Sequence, residues 1–169
     1  MSKPFARALA AAALLAAPAA FAEGFQYEVG LGRAHTSQSG VDGGTAIVID
    51  AALGYRFTPD VGVRAMFAGQ FAGNAVGGGV QPSFKDFGGV EATGHAELSP
   101  QWNAMGGLGI GQVNYADAFD GTSKASQTTP VLSTGLQWKP RRHFAMELHA
   151  DYLTSAKTLN WALLFQIPF

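Results

Sequence analysis

The last eleven residues, Leu159 to Phe169, alternate without a break. Leu159, Trp161, Leu163, Phe165, Ile167 and Phe169 share one parity, and Asn160, Ala162, Leu164, Gln166 and Pro168 share the other. A strand places residues of one parity on one face. This segment therefore has one wholly apolar face and one that is mostly small or polar. A soluble domain has little use for such a strand as its tail, whereas a barrel sealed in a membrane turns the apolar face to lipid and leaves no backbone edge unpaired.

The same alternation recurs upstream. Residues 25–32, 47–57, 61–71, 90–98, 102–111, 132–138 and 144–152 read as seven more strands. Short turns are expected at 58–60, 99–100 and 139–142, and longer connections at 36–44, 72–86, 116–125 and 154–157. The phase of the fifth strand breaks at Gln112, where a bulge is expected. Pro130 cannot donate to a ladder and is placed at or above the rim.

Composition supports lipid over water outside the barrel. Charged residues make up 14 % of the chain, against about 25 % in ordinary soluble domains, and Gly reaches 22. A water-soluble, lipocalin-like barrel would need a polar face that is about 25–35 % charged. Here that face is mainly Gly, Ala, Ser, Thr and Gln. The net charge of -1 gives no reason to expect nucleic acid as a partner.

At the amino end, Lys3 and Arg7 precede the apolar run Ala8 to Ala17 and the small-residue site Ala20-Phe21-Ala22. This is the pattern of a secretory signal peptide. Residues 1–22 are expected to be cleaved after Ala22, leaving the barrel over 23–169. The chain has no cysteine, so no disulfide framework or thiol chemistry is available.

The whole mature region resembles the small eight-stranded outer-membrane proteins of the OmpA/OmpX type. The tail Phe165, Ile167 and Phe169 is similar to the alternating signal that the barrel-assembly machinery reads in that class. Gly135-Leu136-Gln137-Trp138-Lys139 followed by Phe144 to Tyr152 resembles a strand-turn-strand of these barrels. The resemblance implies an all-β, eight-stranded antiparallel transmembrane up-and-down barrel in the bacterial outer membrane. It also implies a monomer with both termini in the periplasm, surrounded by outer-membrane lipid and lipopolysaccharide. Phe25, Tyr55, Phe57, Trp102, Trp138, Phe144, Phe165 and Phe169 gather at the short-turn end and read as an interfacial girdle.

The second parity defines a polar lumen. It carries Glu28, Asp50, Glu91, Glu97, Glu147 and Asp151 against Arg56 and Arg64, with His95 and His149 alongside. An eight-stranded barrel has just enough interior for side chains to fill. Unpaired buried ions cost several kcal/mol apiece, so an ionic plug centred on Arg64 and reaching Glu91 or Glu147 is expected. Gly107, Gly109 and Gly111 leave room for its long side chains.

Catalysis is not expected. Glu147, His149 and Asp151 share a strand face, a set suited to acid–base work. Lipid A deacylases of outer-membrane type place a Ser two residues after a strand His, facing lipid; here Asp151 stands there and His149 faces inward. The four His, at 35, 95, 143 and 149, show no metal-ligand spacing, and no cofactor motif is present. Lys85, Lys124 and Lys157 read as solvated loop charges. The expected role is envelope integrity with an occluded lumen; the alternatives are a narrow ion or small-solute channel and a lipid A-modifying enzyme.

Overall fold

The computed structural model describes residues 24–37, 45–72, 83–116, 123–141 and 144–168. Residues 1–22, expected as a signal peptide, and Phe169 lie outside them. Eight strands follow in order: β1 (Gly24–Thr36), β2 (Thr45–Arg56), β3 (Val61–Ala72), β4 (Ser83–Ser99), β5 (Trp102–Ala116), β6 (Ser123–Arg141), β7 (Phe144–Leu153) and β8 (Thr158–Pro168). Each pairs antiparallel with the next, and β8 returns to β1 to close the barrel.

Period-two sequence becomes period-two burial. On β1, Tyr27, Val29 and Leu31 point outward and are exposed, while Glu28, Gly30, Gly32, Ala34 and Thr36 point inward and are buried. Closure matches face to face: outward Val29 and Leu31 stand opposite Phe165 and Leu163, and inward Glu28 stands opposite Gln166. The turns have local causes. The Thr58 hydroxyl accepts from the N–H groups of Asp60 and Val61 at 3.3 and 3.1 Å, so the β2–β3 hairpin closes within a few residues.

β4, β5 and β6, like β1, run past their sequence patterns. β4 begins at Ser83, β5 continues to Ala116 and β6 begins at Ser123, so the edges of the connections expected at 72–86 and 116–125, residues 83–86, 116 and 123–125, are strand. The side of the barrel formed by β4–β6 is therefore taller than that formed by β7 and β8. Pro130 lies one residue past the last β6–β7 pair, Val131 with Leu153. Its carbonyl accepts from the Thr154 N–H at 3.0 Å, and its missing N–H falls beyond the ladder.

The break expected at Gln112 is not there. Inward and outward positions keep one parity from Asn103 to Tyr115, and the irregularity falls at Tyr115/Ala116. What changes near Gln112 is the chemistry of each face. Val113 and Tyr115 point inward and are buried, while Gln112 is exposed on the outside. On β4 a register shift between Phe84 and Asp86 lets both Phe84 and Phe87 face the lumen. Phe84, expected in a loop, is a buried strand residue.

Candidate functional site

The lumen is filled in tiers. Its middle is a polar network built around Arg64, which is 4 % exposed. The Arg64 Nε donates to Glu28 Oε2 at 2.8 Å, and Nη1 donates to Glu91 Oε1 at 3.2 Å and to His149 Nε2 at 2.8 Å. One guanidinium thus joins β3 to β1, β4 and, across the barrel, β7. The planar fork of arginine suits this, since it offers several donors in fixed directions.

From His149 the network continues to Glu147, whose Oε1 accepts from Nδ1 at 2.8 Å, while Nε2 lies 2.8 Å from Asp151 Oδ1. Arg64 therefore contacts Glu91 directly and reaches Glu147 through an imidazole. Amides complete the tier. Gln26 and Gln166 donate to Glu28 Oε1 at 2.7 and 3.2 Å. Gln166 also donates to Glu147 Oε2 at 2.6 Å, and its own oxygen accepts from Gln137. The Ser133 hydroxyl donates to Glu91 Oε2 at 2.5 Å. At the upper edge, Asn160 Nδ2 donates to Asp50 Oδ1 at 2.6 Å and lies 3.4 Å from Asp151 Oδ2. Asp50 Oδ2 and Asn160 Oδ1 are buried and have no hydrogen-bond partner.

Below the hub, Arg56 Nη2 donates to His95 Nδ1 at 3.3 Å, and His95 Nε2 lies 3.2 Å from the Thr93 hydroxyl. Glu97, expected in the lumen with these residues, is exposed instead. It shares their parity, but it sits at the short-turn end of β4, where the barrel opens to solvent.

Above the polar tier lies an apolar one. Phe84, Phe87, Val113, Tyr115, Val48, Val131 and Leu153 are buried together with Ala34, Ala46 and Ala156. The Tyr115 hydroxyl is within hydrogen-bond reach of the Thr36 and Thr158 hydroxyls, which ties β5 to β1 and β8. Glycines make room at each level. A Cβ at Gly107 would stand 2.5 Å from Glu91 Oε2, and one at Gly111 would collide with the Phe87 ring. Long side chains can cross the lumen because β5 offers no side chain of its own there.

Sequence reading missed the amides Gln26, Gln137, Asn160 and Gln166 as members of the network, along with the whole apolar tier. Parity marked them: Val48 has the parity of Asp50, Phe87 that of Glu91, and Leu153 that of Asp151.

Sequence spacing pointed to no metal set, yet the barrel brings Glu91, His149 and Asp151 together, with ligand atoms within 4.8 Å of one another. The Arg64 guanidinium stands against two of these three and supplies positive charge there.

Outside, aromatic side chains cluster at the short-turn end. Tyr55 meets Phe25 and Phe57 at centroid distances of 4.8 and 5.3 Å, Trp102 stacks on Trp138 at 6.3 Å, and Phe144 meets Phe165 at 6.1 Å. Ile167 follows Phe165 on the same outward face. This band is where an interfacial girdle belongs.

A model of the outer membrane protein beta-barrel domain matches residues 6–162. The chain belongs to that family. Solved structures carry the same fold. Ail, the attachment invasion locus protein of Yersinia pestis, determined in complex with the heparin analogue sucrose octasulfate, is 23 % identical with a TM-score of 0.57, over 86 % of this chain and 97 % of that one. Neisserial surface protein A is 16 % identical with a TM-score of 0.61, over 88 % and 99 %. The N-terminal β-barrel domain of Pseudomonas aeruginosa OprF is 14 % identical with a TM-score of 0.58, over 85 % and 97 %. A search of curated protein sequences gives no match. This is a bacterial outer-membrane barrel that crosses its membrane with strands.

Proposed function

We propose that this outer-membrane barrel is a non-enzymatic structural protein of the envelope whose lumen is closed to solutes. One observation supports the reading: the lumen holds two successive layers of buried side chains, the Arg64 network and the apolar tier above it. A pore would need both to open. The acid–base groups Glu147, His149 and Asp151 are buried among one another, out of reach of an acyl chain on the outer surface. Export by the leader in residues 1–22 and assembly through the Phe165, Ile167 and Phe169 signal belong to the same reading.

Conductance across planar bilayers tests it. The purified barrel is expected to give no steady current. A steady current in the wild type that is lost or altered in Arg64→Ala would establish the narrow channel instead. Mass spectrometry of lipid A from cells making or lacking the protein should show identical species; a deacylated or acylated product would establish an enzyme. Cells lacking the protein should be more sensitive to detergent.

A further inference from the structure

At the long-loop end, the seam between β8 and β1 forms an outward ladder of three rungs. Arg33 stands opposite Trp161 and His35 opposite Leu159. One rung farther, the Ser37 N–H and hydroxyl donate to the Lys157 carbonyl at 3.0 and 3.2 Å. All six side chains are exposed. Ile47 and Thr45 flank the ladder on β2, opposite Arg33 and His35. Lys157 is held in the left-handed region, with φ 47, by the β7–β8 turn.

Among the residues whose side chains are described, exposed charge is sorted along the barrel. The exposed cations among them are Arg33 and Lys157, and both lie on this seam. The exposed carboxylates are Asp60 and Glu97, both at the opposite, short-turn end. Among the described residues around the rest of the outer end, outward positions carry Gln112, Ser126 and Thr128, together with Asn114, which donates to Asp86 at 2.5 Å, while Lys85 on β4 is half-buried and has an interaction partner of its own.

Arg33 also has the wrong chemistry for the face it occupies. It shares the outward parity of Val29 and Leu31, and its rung neighbours Trp161 and Ile47 offer the guanidinium no carboxylate. Its depth gives the reason. The eight residues from Phe25 to Arg33 span about 26 Å along the strand at about 3.3 Å each, or about 20 Å along the axis at a tilt of about 40°. That puts Arg33 within about 5 Å of the outer edge of an apolar band about 25 Å tall, close enough for its long side chain to reach the headgroups. Lys157 lies two rungs higher, about 13 Å along the strands. Headgroups of the outer leaflet occupy that interval.

We propose that the β8–β1 seam is a binding site for the phosphate-bearing headgroup of the outer-leaflet glycolipid. Arg33 grips a phosphate through its fork, Lys157 meets the headgroup from above, and Trp161, Leu159 and Ile47 pack against the lipid between and below. Trp suits this depth because its ring is apolar while its N–H stays wet. The site is on the outer wall and is independent of whether the lumen conducts.

The test uses the mature barrel refolded in phosphatidylcholine vesicles containing either bisphosphorylated or dephosphorylated lipid A. Lipid retained after detergent extraction is quantified by mass spectrometry. The wild type is expected to retain bisphosphorylated lipid A in preference to the dephosphorylated form, and R33Q/K157Q to reduce that retention by about tenfold. Wild-type retention by the double variant, or equal retention of the two lipids by the wild type, would overturn the proposal. Heat-modifiable migration on SDS gels reports folding. If the double variant fails to fold, K157Q alone, in the exposed turn, should still lower retention, and an unchanged value there overturns the site equally.

Discussion

The middle and the outer end of the lumen are made by the same strands with the same inward parity, yet one is ionic and the other apolar. On β7, Asp151 belongs to the first and Leu153 to the second; on β2, Asp50 and Val48 divide in the same way. Both fill an interior too narrow to leave empty, and they differ in what holds them together. The polar tier depends on directional partners and fails when one is removed. The apolar tier depends on volume and fails when a cavity opens.

Arg64→Met should break the comparison most severely. Glu28 and Glu91 would stay buried without their guanidinium, and breaking a buried pair in this way costs about 3–5 kcal/mol. Urea unfolding in lipid vesicles measures the loss. Wild-type stability in this variant would mean that packing alone holds the polar tier. Leu153→Ala should come next, losing about 2–4 kcal/mol to a cavity in the apolar tier. Its loss should be indifferent to salt, and strong salt dependence would place Leu153 in the electrostatic tier. The smallest effect is expected where the tiers meet. Among the described residues, Asp50 accepts its side-chain hydrogen bond from Asn160 and keeps one buried oxygen without a partner. Asp50→Asn removes a buried charge while keeping an acceptor, and should raise stability by up to about 1 kcal/mol. A clear loss would show that Asp50 has a cationic partner.

Much of the candidate site was legible because parity in a closed barrel is nearly a complete instruction. Arg64 and Glu91 were expected to meet, and they do. The missed apolar tier and the misplaced bulge have a common source in treating apolar residues as lipid-facing. Val113 and Tyr115 imply a bulge at Gln112 only if apolar residues must face lipid, and in the structure they face an apolar interior. Glu97 failed for another reason: parity says which wall a residue faces, and says nothing of where along the axis the wall ends.

Sequence alone determined the strand number, the inward and outward faces and the closing role of the terminal strand. Those follow from the two-residue period of an extended chain and from the cost of an unpaired edge in lipid. Tertiary structure decided the rest. Which carboxylate meets Arg64 depends on register and on the barrel's cross-section, which bring β3 within reach of β7 although they are far apart in sequence. Whether an inward residue meets a charge or a hydrocarbon depends on its height. That height is set by how tilted strands of unequal length are staggered around a closed wall, and no local pattern in the chain encodes it.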